Sequence, residues 1–223
     1  MDELELKKLW HNTNDKLEAN FVINKKNTED ITRVKVHSIL GSMKPIKIFI
    51  LLVGILWVSI GVIALSSIYL NSFSEANKFF LFSASIQVGL TAMALFVYLY
   101  QLITIYQVDV TDPIIRTQER LASLKTSTLW VTRILFLQLP VWSTFWWNET
   151  MLTDWSILQL VVTLFFTFSF TLIAIWLFFN IKYENRNKKW FQHIFSGKEW
   201  TPLMKSLELL EQVEDYKGQN AST

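Results

Sequence analysis

Residues 48–74, IFILLVGILWVSIGVIALSSIYLNSFS, form an unbroken run without a charged side chain, and this run decides the fold class. A helix crossing the hydrocarbon core of a bilayer needs roughly 20 such residues, and only a helix or a closed barrel satisfies its backbone polar groups where no water is present. Two further uncharged runs, Phe79–Val108 and Trp155–Ile181, are as long or longer. A fourth segment, Ser127–Trp147 (STLWVTRILFLQLPVWSTFWW), contains Arg133, Gln138 and Pro140. It reaches span length if the Arg133 methylenes run along the helix and leave the guanidinium at the headgroups.

Composition agrees with this reading. The 223 residues are 51% hydrophobic and 18% charged, where a soluble domain would be about one quarter charged. There is no Cys, which excludes disulfides, thiolate metal sites, iron–sulfur clusters and a cysteine nucleophile.

The placement of the 21 Lys and Arg residues carries more than the net charge of +2. Nine lie in residues 1–47, three in residues 109–126 together with Arg133 just beyond, and seven from Lys182 onward, leaving only Lys78 for the two remaining short loops. Cytoplasmic segments carry the Lys/Arg excess, so both termini and the middle loop are expected in the cytoplasm and the number of spans is expected to be even. Trp142, Trp146, Trp147 and Trp155 gather where the third and fourth spans would leave the membrane, as an interfacial aromatic belt does. The segment 1–30 is charged throughout and lacks the apolar core of a cleavable signal, so the first span is expected to direct insertion.

The expected organisation is an all-α integral membrane four-helix bundle with cytoplasmic amphipathic helices at both termini. Residues 1–45 form an N-terminal arm, 46–181 a four-span domain (about 46–70, 79–107, 127–147 and 155–181), and 182–223 a helical tail. In the arm, Leu6, Leu9, Trp10, Leu17 and Phe21 recur at spacings near three, four and seven, which predicts one amphipathic helix. Asn27 or Thr28 is expected to cap a second. In DVTDPIIRTQERLASLK (109–125), Asp112 is expected as N-cap and Pro113 as the first residue of a single helix running to about Trp147. In the tail, Leu203, Leu207 and Leu210 share an apolar face opposite Glu208, Glu211 and Glu214.

Residues that could carry chemistry are few. His11, His37 and His193 are scattered outside the spans, no recognisable catalytic motif occurs, and neither a metal site nor a cofactor is expected. Polar residues inside the spans are Gln87, Arg133, Gln138 and Gln159, with Pro140 as a helix breaker. They read either as interhelical hydrogen-bonding groups or as the lining of a path. Arg133 reads as a headgroup anchor or as a partner of Asp109 or Asp112, and Lys44 and Lys47 as residues that face anionic headgroups. Gly54, Gly61, Ser85 and Gly89 read as points of close helix approach. Basic and acidic residues balance in the arm and tail, so no nucleic acid is expected as a partner.

The segments ELKKLWHNTNDKLEANFVINKK (5–26) and Asp109–Trp147, with its PIIRTQERLASLK and TRILFLQLPVW sequences, resemble a family of uncharacterised bacterial four-helix inner-membrane proteins. The resemblance implies the architecture and a multi-pass place in the inner (plasma) membrane, and it transfers no catalytic or binding residue. The expected function is therefore that of a non-catalytic membrane-anchored regulator or scaffold, not an enzyme. Its expected partners are the lipid bilayer and either a cytoplasmic protein or a second copy, bound through Leu6, Leu9, Trp10 and Leu17 on the arm and Leu203, Leu207 and Leu210 on the tail. The alternative is a small transporter or channel subunit for an apolar or lipid-like substrate, using Gln87, Gln138, Pro140 and Gln159.

Overall fold

The computed structural model describes residues 3–109, 111–197, 200–209 and 211. Among them the secondary structure is entirely helical: α1 (Glu3–Gly41), α2 (Lys44–Asn71), α3 (Lys78–Gln107), α4 (Ile114–Phe136), α5 (Gln138–Thr144), α6 (Met151–Asp154), α7 (Ile157–Asn180), a 3-10 turn (Tyr183–Asn185), α8 (Lys189–Ile194) and α9 (201–209). Three helical runs are long and apolar enough to cross a membrane: the one ending at Asn71, Lys78–Gln107 and Ile157–Asn180.

The arm is one helix and not two. Thr28, expected to cap a second helix by accepting a backbone N–H, instead donates its hydroxyl to the Asn24 carbonyl at 2.9 Å, a bond that leaves the helical ladder intact. Arg33 reaches back to Glu29 and Asp30 one turn earlier and supports the same continuity. The helix stops at Gly41 because Pro45 has no N–H to offer the Gly41 carbonyl, and after Ser42 and Met43 the chain resumes as α2.

One stripe of this α1–α2 rod packs against the rest of the chain. Thr32, Val36, Leu40, Met43, Lys47 and Leu51 are all buried, at spacings of three and four. Further along, Gly54 and Gly61 let α2 approach α3. A Cβ on Gly54 would run into Leu95, and one on Gly61 would sit 2.7 Å from Val88 Cγ2. Gly89 plays no such part, since nothing lies within 4 Å of where its Cβ would be. Ser85 serves α3 differently, hydrogen-bonding Tyr69 at 3.1 Å.

The third rod is divided. Pro140 cannot donate to the Phe136 carbonyl, and the ladder breaks at Leu137, whose N–H tightens onto Ile134 at 3.1 Å. The single helix expected to run to Trp147 is thus α4 followed by the short α5, and neither half alone is a spanning helix. At its start Pro113, not Asp112, occupies the N-cap. The Asp112 carboxylate is taken by Arg116 at 3.1 Å and Arg120 at 2.8 Å.

Among the described residues α2 packs on α3, α3 on both α4 and α5, and α7 on both α4 and α5, whereas α2 and α7 do not form a packed pair. The four rods therefore stand in a row in chain order. No extensive interface among the described residues joins the two ends of the row. Leu51, Ala94, Tyr98 and Val131 form the core within the row. At the end of the row where α1 joins α2, Val36, Leu40, Ile105, Leu121, Leu203 and Leu207 meet in a lobe built from α1, α3, α4 and α9. A neighbouring cluster of Leu129, Leu177, Ile181, Phe191 and Phe195 ties α8 to the base of α7.

Candidate functional site

Lys47 lies on the packed stripe of the rod, so its side chain points into the row. This corrects the expected exposed anchor. It is 1% exposed, its Nζ donates to Gln101 Oε1 at 2.7 Å, and the ammonium stands 4.5 Å from the Tyr98 ring centre and 5.8 Å from that of Trp200. Gln101, itself fully buried, turns its amide toward Ser127 Oγ at 3.2 Å and Thr128 Oγ1 at 3.3 Å. A buried cation needs such partners, because leaving water costs several kcal/mol unless charge-assisted hydrogen bonds and ring faces replace it. The arrangement joins α2, α3, α4 and the segment leading into α9. Sequence reasoning misses it because a charge reads as the end of a span. The signal is the three- and four-residue spacing that carries the apolar stripe straight through Lys47.

Arg133 pairs with neither Asp109 nor Asp112. Its Nε donates to the Ile181 carbonyl at 2.7 Å, and its guanidinium lies 5.6 Å from the Trp130 ring. It caps the end of α7, where a helix leaves carbonyls unpaired and a cation is favoured.

The other polar residues of the spans fall into two groups. Thr91 links Gln87 and Gln138: its hydroxyl donates to the Gln87 carbonyl at 2.8 Å and accepts from Gln138 Nε2 at 3.3 Å, joining α3 to α5. Pro140 stands nearby in α5. The Gln87 side chain is buried beside an apolar cleft of about 280 Å³ between α2 and α3, lined also by Trp57, Gly61, Val88 and Phe145. Gln159 is elsewhere, exposed at the start of α7, where it completes a capping box with Ser156. It therefore does not share a path with Gln87 and Gln138.

The two apolar stripes differ in fate. Leu203 and Leu207 are 1% and 8% exposed and pack inside the lobe, so this chain already covers them. Trp10 and Leu17 are 75% and 62% exposed, and every described side chain from Glu5 to Thr28 faces solvent. Leu210 and the side chains of Leu6 and Leu9 lie outside the described residues.

At the base of α7 Tyr183 donates its hydroxyl to Glu211 at 3.0 Å, and Arg186 pairs with the same carboxylate at 3.2 Å. Burial, followed by the hydrogen bond and charge of Glu211, pushes the Tyr183 phenol up to about 12. Lys125 and Arg186 lie 4.4 and 4.5 Å from its ring centre. Of the four basic residues after α7, Arg186 is held in this cluster, while Lys182, Lys188 and Lys189 are exposed.

Compared with known protein families, curated proteins and solved structures, the chain matches none.

Proposed function

We propose that the protein is a multi-pass inner-membrane protein with both termini in the cytoplasm, and that it acts without catalysis, as an anchored regulator or scaffold that binds protein through α1. The third of its four crossings is made by α4 and α5 together, with Arg133 at the inner boundary. The Lys/Arg distribution supports this orientation, since the segments at the α1 end of the row carry nearly all of the basic residues. One observation carries the functional reading: the first two thirds of the arm helix leave their described apolar residues, Trp10, Leu17 and Phe21 among them, exposed, whereas the comparable stripe of α9 is consumed by packing. The test is affinity capture of the full-length protein from native membranes beside a Trp10→Asp, Leu17→Asp variant. Bound protein should be lost with the double substitution, and an unchanged set of captured proteins would remove the arm from the function.

A second reading, a small transporter or channel subunit for an apolar or lipid-like substrate, rests on the cleft beside Gln87 and a neighbouring one of about 270 Å³ lined by Leu51, Ile55, Leu95 and Leu99. Flux of a fluorescent lipid in proteoliposomes, compared with a Gln87→Leu variant, tests it. Equal flux in both would discard this site.

A further inference from the structure

A helix as exposed as the first two thirds of α1 is not stable alone. Asn12, Asn14, Asn20, Asn24 and Asn27 are weak helix formers, and an isolated helix in water is marginal even with good ones. Something must cover one face of it, and the spacing of its residues indicates which face. Trp10, Asn14, Leu17, Phe21, Asn24 and Ile31 fall at alternating steps of four and three, with Thr28 completing the pattern, and all are exposed. This is the seam of a heptad repeat. Lys7 and Lys35 occupy the next positions in step at either end, where like charges facing each other would close the seam.

Resting on the reading of α1 as a docking surface, we infer that its occupant is the arm of a second copy of this chain, paired parallel and in register. Two copies held in one membrane by the same spans present their arms on the same side and in the same direction, so the parallel arrangement is the one available. Their shared tether raises the effective concentration of one arm around the other. The flanking residues tolerate self-pairing: Glu18 of one copy meets Thr13 of the other, and Asn20 and Asn27 add no charge along the same edge. Asn14 opposite Asn14 is the kind of buried amide pair that fixes register and limits assembly to two strands. Burial of Trp10, Leu17, Phe21 and Ile31, now 75%, 62%, 41% and 55% exposed, removes on the order of 1,000 Å² in total, about what a specific interface requires.

The absence of native cysteine makes the test clean. Four single-cysteine variants of the full-length protein, Asn14→Cys and Leu17→Cys on the seam and Asn12→Cys and Ala19→Cys on the outer face, are oxidised in native membranes, and a parallel set is alkylated with a maleimide. Disulfide-linked dimer at the seam positions, several-fold above the outer ones, together with slow alkylation of the seam, is the expected result. Seam cysteines that are protected from alkylation without forming dimer would overturn the second copy and leave α1 as the dock for a different protein. Equal alkylation at all four positions with no dimer would overturn both.

Discussion

Lys47 and Gln101 meet inside the row of helices, the ammonium 2.7 Å from the amide oxygen, both side chains almost completely buried. Replacing Gln101 by Leu strips a major hydrogen-bond acceptor from a buried cation. Gln101→Leu should therefore destabilise the protein by about 2–3 kcal/mol. Thermal unfolding in detergent checks this, and a Gln101→Leu variant as stable as the wild type would contradict it.

Arg133 is tied to α7 by a single bond to the Ile181 carbonyl, beyond the last regular turn of that helix. Arg133→Gln should leave this carbonyl unpaired, at a cost of about 1–3 kcal/mol, and loosen the junction that carries the 3-10 turn. Hydrogen exchange should accelerate at the base of α7 and not at its start, where the Ser156–Gln159 capping box is independent. Uniform acceleration along α7 would mean that Arg133 does not act locally.

Gly54 and Gly61 contact α3 through side chains of different stiffness. At Gly54 the obstructing atom is the far end of Leu95, which can rotate away, whereas at Gly61 it is a methyl of Val88, a β-branched residue with one strongly favoured helical rotamer. Gly→Ala gains about 0.5–1 kcal/mol in helix propensity, so Gly54→Ala should come out near neutral. Gly61→Ala should lose about 1–3 kcal/mol to overpacking before that gain is subtracted. Equal unfolding temperatures for the two variants would rule out close packing at Gly61.

How much of this is legible in the sequence depends on whether a residue acts through its own chain neighbours or through a distant element. The uncharged run Trp155–Ile181 becomes α7 almost residue for residue, because length and apolar character suffice to mark a helix long enough to cross a membrane. The caps are harder. Thr28 and Asp112 both have the chemistry of an N-cap, yet one bonds backward to a carbonyl and the other is claimed by two arginines. The apolar faces of the arm and of α9 are visible as periodicity, but a stripe does not name the surface that covers it. Leu203 finds α1, α3 and α4, while Leu17 stays open to solvent among the described residues. Lys47 and Gln101 are hidden by a rule that is right for most lysines, that a charge marks a boundary.

Tyr183 offers a pH-dependent handle outside the spans. Its phenol is raised from 10.0 to about 12, first by burial and then by Glu211, so the fold favours the neutral form. The stabilisation it contributes is present in full below pH 10 and is lost as the pH climbs through about 12. The difference in ultraviolet phenolate absorbance between wild type and Tyr183→Phe should titrate late. Glu211→Gln should move the transition toward the ordinary value without reaching it, since burial persists. A Tyr183 that titrates like an exposed tyrosine would show that the contact with Glu211 does not form.

The contrast between the two leucine stripes gives the most direct test of which surface is structural and which is offered outward. Leu203 is buried among Val36, Leu40, Ile105, Leu121 and Leu124, so Leu203→Ala should leave a cavity and cost about 2–5 kcal/mol. Leu17, 62% exposed in the single chain, should change the stability of dilute, detergent-separated protein by no more than about 0.5 kcal/mol when replaced by Ala. In native membranes the same Leu17→Ala variant should instead weaken whatever the arm binds. Separate measurements of unfolding in detergent and of association in membranes distinguish the two roles. Comparable destabilisation of the isolated chain by both substitutions would place Leu17 in the folded core and end the case for the arm as a docking surface.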